Sequence, residues 1–120
     1  MRKAYVTGAT GFVGGEIARQ LCEAGWQVSA SRRRTSSTDR LSDLDIEWVE
    51  TDLCDPRSVS RGIPERVDAV FHSAGNVTFW PRQFADQVRD NVHATTAVVE
   101  ASLARSARRF VFTSSAAAYG

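Results

Sequence analysis

At 120 residues, 42% of them hydrophobic, the chain has the material for one globular domain and no more. Fifteen basic and 14 acidic side chains give a net charge of +1, which excludes the broad basic footprint of a nucleic-acid binder and leaves two arginine clusters, Arg32-Arg33-Arg34 and Arg105 to Arg109, to be explained locally. Met1-Arg2-Lys3 leads straight toward an apolar strand and no run reaches membrane-spanning length, so a cytoplasmic protein with no membrane partner is expected. Cys22 and Cys54, far apart and accompanied by two histidines, indicate neither a disulfide framework nor a metal site.

In chain order, Lys3 to Thr7 carries the apolar run Ala4-Tyr5-Val6 and predicts a short buried parallel strand. Directly after it comes Thr7-Gly8-Ala9-Thr10-Gly11-Phe12-Val13-Gly14, a Gly-x-x-Gly-x-x-Gly turn. Gly8 lets the chain leave the strand through a tight turn, Gly11 lets backbone approach a diphosphate with no Cβ in the way, and Gly14 lets the next helix pack closely. A helix starting here aims unpaired N–H groups and the positive end of its dipole at phosphates. The spacing differs from the general Gly-x-Gly-x-x-Gly fingerprint. It is the strand before, the helix after and the alternation beyond that point to a dinucleotide. From Phe12 onward, Val13, Ile17, Leu21 and Ala24 recur every three or four residues opposite Glu16, Arg19, Gln20 and Glu23, predicting an amphipathic helix to Glu23 with Gly25 as its cap.

Trp26 to Ser31 is expected as the second strand, weakened on propensity by Ser29 and Ser31. Arg32 to Asp45 reads as a connection with a short helical turn around Asp39 to Leu44. The alternating Ile46-Glu47-Trp48-Val49-Glu50 predicts the third strand, followed by Thr51-Asp52-Leu53. Asp55 as cap and Pro56 at the first position then start a short helix to about Ile63. Ala69-Val70-Phe71 gives the fourth strand, running into His72-Ser73-Ala74-Gly75, and a loop from Asn76 to Pro81 carries Phe79 and Trp80. The longest predicted helix spans 82–106 with Phe84, Val88, Val92, Thr95, Val99 and Leu103 on its inner face, and Arg109 to Thr113 is the fifth strand. Strands alternating with helices imply right-handed βαβ crossovers. The expectation is an α/β, Rossmann-type doubly wound parallel sheet of about five strands in the order 3-2-1-4-5, forming one domain over residues 1–120.

Five of these blocks, in this order, resemble the extended short-chain dehydrogenase/reductase family, in its NAD-dependent epimerase/dehydratase group and the branch of dihydroflavonol reductases and 3β-hydroxysteroid dehydrogenases. They are Thr7 to Gly14, Arg33 after strand two, Asp52-Leu53, His72-Ser73-Ala74-Gly75, and Phe112-Thr113-Ser114-Ser115 with Tyr119-Gly120. The similarity covers essentially the whole chain as that family's N-terminal portion, so a domain truncated after strand five is expected. The resemblance implies a cofactor bound by Gly8, Thr10, Gly11, Phe12, Val13 and Gly14 at the diphosphate and by Arg32 and Arg33 at the adenine ribose. A carboxylate at the tip of strand two selects NAD, whereas a guanidinium suits a 2′-phosphate, so NADP is expected ahead of NAD. Asp39, further along the same loop, would restore NAD binding if the loop folded back.

The resemblance further implies that Asp52 accepts from the adenine amino group while Leu53 flanks the ring. It places Ser73, Ala74 and Gly75 beside the diphosphate and nicotinamide ribose, Asn91 at a kink or water in the long helix, and Thr113 and Ser114 near the cofactor. Ser115 is implied as the catalytic hydroxyl that hydrogen-bonds the substrate oxygen. His72 belongs to the strand-end motif and is read as structural, and Phe79 and Trp80 lie toward the substrate side or pack against the remainder of a longer protein.

The family chemistry also needs a Tyr-x-x-x-Lys pair, in which the lysine lowers the tyrosine pKa so that a phenol works near neutral pH. These 120 residues hold one lysine, Lys3, and two tyrosines, Tyr5 and Tyr119, so the pair does not occur within them. The function expected is the cofactor-binding part of an NAD(P)-dependent oxidoreductase that moves a hydride between nicotinamide and a small-molecule carbonyl or hydroxyl substrate, inactive as it stands. A sugar-nucleotide epimerase or dehydratase and a non-catalytic NADP-binding sensor are the alternatives. An uncovered fifth strand further predicts marginal stability or self-association.

Overall fold

Ala4, Tyr5 and Val6 are almost wholly buried because β1 (Lys3–Thr7) lies at the centre of a parallel sheet, where both faces are covered and a continuous apolar run is favoured over alternation. The computed structural model describes residues 1–73 and 89–113. On one side β1 pairs with β2 (Gln27–Arg32), Val6 lying opposite Ala30, and on the other with β4 (Ala69–His72), Thr7 lying opposite His72. β3 (Ile46–Glu50) pairs outside β2 and β5 (Phe110–Phe112) outside β4, giving the expected order 3-2-1-4-5.

Helix α1 (Phe12–Glu23) ends as its sequence predicts. Gly25 sits at φ +87°, and the N–H groups of Gly25 and Trp26 donate to Cys22 O and Leu21 O, both at 3.0 Å, closing the last turn. The buried stripe differs from the expected one. It runs through Gly14, Gly15, Ala18 and Leu21, while Val13 is 49% exposed and Ala24 is exposed. Small residues win the inner positions because they let the helix axis come closer to the sheet than a valine stripe would.

Side chains alternate across each strand, so the sheet has two faces of different character. On the first, Ala4, Val6, Val28 and Ala30 pack beneath Ala18 and Leu21 of α1. On the second, Tyr5 and Val70 meet Val59 of α2 (Pro56–Gly62), Ile63, and Ala97, Val98 and Ala101 of α3 (Ala94–Ala104). Ser29 lies opposite Tyr5 in the ladder and is buried on this second face, its hydroxyl donating to Ala4 O at 3.4 Å, and Ser31 follows two residues on. The serines thus supply polar groups to a face that uses them. Asp55 caps α2 as expected, its carboxylate accepting from Arg57 N–H at 3.0 Å with Pro56 in the first turn.

A π-helical turn, Arg89–His93, precedes α3, and residues 82–88 of the expected long helix, with Phe84 and Val88, lie outside the described residues. α3 buries Ala94, Ala97, Val98, Ala101 and Ser102, whereas Val92 and Leu103, expected inside, are 55% and 76% exposed. The helix ends at Ala104. On β5, Val111 and Phe112 are also exposed.

The connection from β2 to β3 is held against α1. Its 3₁₀ turn, Asp39–Leu41, buries Leu41 in the α1 face, and the Arg19 guanidinium makes two bonds to the Asp43 carboxylate at 2.9 and 3.2 Å and one to Arg40 O at 3.2 Å. At the opposite end of the sheet from the glycine turn, Asp68 accepts from Lys3 N–H at 2.7 Å and faces Arg108 at 3.6 Å. Arg105 reaches Ser60 O and Glu65. Arg105 and Arg108 of the second arginine cluster are therefore occupied with local ties. Among the described residues no helix is long and apolar enough to cross a membrane.

Candidate dinucleotide site

The carboxyl ends of β1 to β4 converge on a cavity of about 200 Å³. In a doubly wound sheet this is where a crevice opens, because β1 sends its neighbours off in opposite directions. Gly8, Thr10 and Gly11 line it from the turn after β1, Ser31, Arg32 and Arg33 from the end of β2, Thr51 and Leu53 from the segment after β3, and Ser73 from the end of β4.

Two glycines explain why the turn takes this shape. Gly8 has φ +73°, a left-handed conformation that costs an L side chain strain. At Gly14 a Cβ would lie 2.1 Å from Gly8 O and 2.5 Å from Gly8 C, so the first turn of α1 rests on backbone with no space for a side chain. Gly11 occupies the N-cap of α1 with no side-chain cap, and the first turn holds no acidic residue. The positive end of the helix dipole is left for an anion at the cavity rim.

Of the residues singled out from the sequence, Gly8, Thr10, Gly11, Arg32, Arg33, Leu53 and Ser73 line the cavity together, and Phe12, Val13 and Gly14 form the first turn of α1 beside it. Asp52 is exposed and outside the lining. Its Oδ1 accepts from Cys54 N–H at 3.0 Å while its own N–H donates to Ser58 Oγ. Asp39 is exposed on the connection between β2 and β3 and does not line the cavity. Asn91 lies within the π-helical turn. Thr113 is joined to the rim, its hydroxyl 2.9 Å from Ser73 Oγ. Ala74, Gly75, Phe79, Trp80, Ser114, Ser115 and Tyr119 fall outside the described residues. Ser31 and Thr51 line the cavity without having been assigned a role from the sequence. Their place at the carboxyl ends of two predicted strands was the available signal.

Beneath the cavity, Tyr5 is fully buried. Burial raises its pKa, against smaller lowering by the nearby Thr51 and Ser31 hydroxyls, although no hydrogen bond of good geometry reaches its Oη. His72 is likewise fully buried, and burial alone lowers its pKa to about 4, so the ring is neutral near pH 7. Its Nδ1 lies 2.7 Å from Thr7 Oγ1 and its Nε2 lies 2.9 Å from Thr95 Oγ1.

The profile of the NAD dependent epimerase/dehydratase family matches residues 4–120. The chain belongs to this family. Among similar proteins, 2-alkyl-3-oxoalkanoate reductase of Stenotrophomonas maltophilia is 35% identical over 112 residues, covering 93% of this chain and 33% of that one. A short-chain dehydrogenase/reductase superfamily protein from Agrobacterium tumefaciens, solved with bound NAD, is 31% identical with a TM-score of 0.79, covering 95% of this chain and 33% of the other. The Bordetella bronchiseptica enzyme WbmH, solved with NAD+, is 28% identical with a TM-score of 0.84, covering 100% and 41%. The chain thus spans about a third of the length of most of these curated relatives. Family and fold together make it an NAD(P)-binding unit of the reductase and epimerase type.

Proposed function

We propose that this chain is the cofactor-binding part of an NAD(P)-dependent oxidoreductase and that its cleft prefers NADP to NAD. The observation that carries the preference is the rim at the end of β2. Arg32 and Arg33 stand there, and among the described residues lining the cavity none is acidic. The 2′,3′-diol of NAD is recognised by a carboxylate at this position, whereas a 2′-phosphate is recognised by guanidinium groups. Asp39, whose return could have supplied the carboxylate, stays outside the cavity because Leu41 and Asp43 fasten the loop to α1 instead.

The fit to a dinucleotide rests on three features: the left-handed Gly8, the backbone contact enforced at Gly14 and the uncapped start of α1. When bound, the nicotinamide supplies or takes up the hydride. Ser115 is proposed to hydrogen-bond the substrate oxygen, with Thr113 and Ser114 on the cofactor side. A carbonyl or alcohol carbon of a small molecule is the proposed substrate class, in keeping with the reductase among its relatives. Because the Tyr-x-x-x-Lys pair does not occur within these 120 residues, no turnover is expected from them alone.

Calorimetric titration of the chain with NADP and with NAD tests the preference. Arg33→Ala is expected to weaken NADP by roughly 10- to 100-fold, corresponding to about 1.5–3 kcal/mol for a charged hydrogen bond, with little effect on NAD. Equal loss for both cofactors would remove the assignment.

A further inference from the structure

We infer that Ser36 is a phosphorylation site whose occupation lowers the affinity of the cleft for NADP and leaves NAD almost untouched. This rests on reading the rim at the end of β2 as the seat of a 2′-phosphate.

Arg32-Arg33-Arg34-Thr35-Ser36-Ser37-Thr38 sets three guanidinium groups directly before four hydroxyls, with no carboxylate until Asp39. The ladder between β2 and β3 ends at the Arg32–Glu50 pair, and beyond it Arg33, Arg34, Thr35 and Ser37 are exposed and Ser36 is half-buried. Past Arg32 no strand pairing has to break for the segment to enter an enzyme's cleft, and Leu41 and Asp43 hold its far end to α1. A protein kinase selects its serine by charge, acidic groups along its peptide groove taking the basic side chains that precede the hydroxyl. Arg33 and Arg34, three and two residues ahead of Ser36, present that pattern. Ser37 is committed elsewhere, since its Oγ accepts from Asp39 N–H at 3.2 Å where the 3₁₀ turn begins.

The place of Ser36 gives the modification its effect. Ser36 N–H donates to Arg33 O at 3.1 Å, closing a four-residue turn whose ends lie within about 7 Å of each other. Arg33 lines the cavity. In the transfer, Ser36 Oγ forms a bond to the γ-phosphorus of ATP as the bond to ADP breaks, and the hydroxyl proton passes to the kinase's catalytic carboxylate. The product carries about −1.5 to −2 charges at pH 7 on three acceptor oxygens. At the rim this charge acts twice. It offers the arginines an anion tethered on the same chain, and it repels a 2′-phosphate arriving from solvent. NAD has a hydroxyl in place of that phosphate and meets neither effect there. Phosphorylation therefore discriminates between the cofactors and does not close the cleft.

Incubation with ATP and an arginine-directed serine/threonine kinase, site mapping by mass spectrometry and calorimetric titration with both cofactors test the inference. Phosphate is expected on Ser36, with NADP affinity lowered about tenfold and NAD affinity within about twofold of the unmodified chain. Ser36→Ala should bind NADP as the unsubstituted chain does and show no change after the same treatment. Arg34→Ala should slow the phosphorylation. Phosphate on Thr35 or Ser37 alone, or on none of the three, would overturn the site, and equal losses for NADP and NAD would overturn its role. Titration followed by ³¹P resonance needs no cofactor: beside the arginines the phosphoserine should lose its second proton below the ordinary value of about 6. An unshifted titration would overturn the contact with the rim. An unmodified chain that binds NADP no more tightly than NAD would overturn the cofactor reading instead, and site mapping with the ³¹P titration would still decide whether Ser36 is modified and its phosphate held at the rim.

Discussion

The two faces of the sheet are built on opposite principles. Beneath α1 the contacts are apolar and close, down to backbone resting on backbone at Gly14 and Gly8. Beneath α2 and α3 the same strands bury Tyr5, Thr7, Ser29, Ser31 and His72, so polar groups must find partners there. The first face is fixed by shape and the second by hydrogen-bond accounting. They should fail differently: the first under added volume, the second under altered protonation.

The largest effect is expected from Gly14→Ala. The new Cβ would overlap Gly8 O, which belongs to a left-handed turn with no freedom to yield, so α1 must move off the sheet. Overpacking of this kind should cost about 3 kcal/mol or more, read as a lowered urea midpoint. A loss under about 1 kcal/mol would show that the close approach is not a constraint.

Next is acid on the second face. His72 has a folded-state pKa of about 4 against an ordinary 6.5, so between these values the unfolded chain binds the proton more readily. Its contribution is fully present above pH 6.5 and is lost as pH falls toward 4, up to roughly 3 kcal/mol for a shift of this size. Urea unfolding across that range should show a steeper slope in the unsubstituted chain than in His72→Asn. Parallel slopes would mean that the ring is not held neutral.

The smallest effect is expected from Tyr5→Phe. Its oxygen is buried without a well-formed hydrogen bond, so removing it should change stability by less than about 1 kcal/mol, in either direction. A larger loss would establish that Thr51 and Ser31 satisfy the phenol.

Legibility followed the same division. The strand order, the glycine turn and both helix caps near Asp55 and Gly25 could be read because each depends on local chemistry at fixed spacing. The inner face of α3 could not. Apolar residues occupy both of its flanks, Val99 and Leu103 on one and Ala97, Val98 and Ala101 on the other, so periodicity does not choose between them. The π-helical turn at Arg89–His93 adds to the difficulty, since a wider turn shifts every later residue around the axis relative to a count at 3.6. At the site, glycines and arginines announced themselves by type, while Ser31 and Thr51 were legible only by position. The pairing of His72 with Thr95, 23 residues away, required the fold itself.

The connection between β2 and β3, fastened to α1, has a consequence for where the chain tolerates change. Between Arg33 and the 3₁₀ turn Asp39–Leu41 runs a segment, residues 34–38, that is largely exposed and tied down at both ends, by β2 on one side and by the Leu41 and Asp43 contacts with α1 on the other. Such a segment behaves as a strung cord between two pegs. Substitution or lengthening within it leaves both pegs, and so the sheet beneath them, in place.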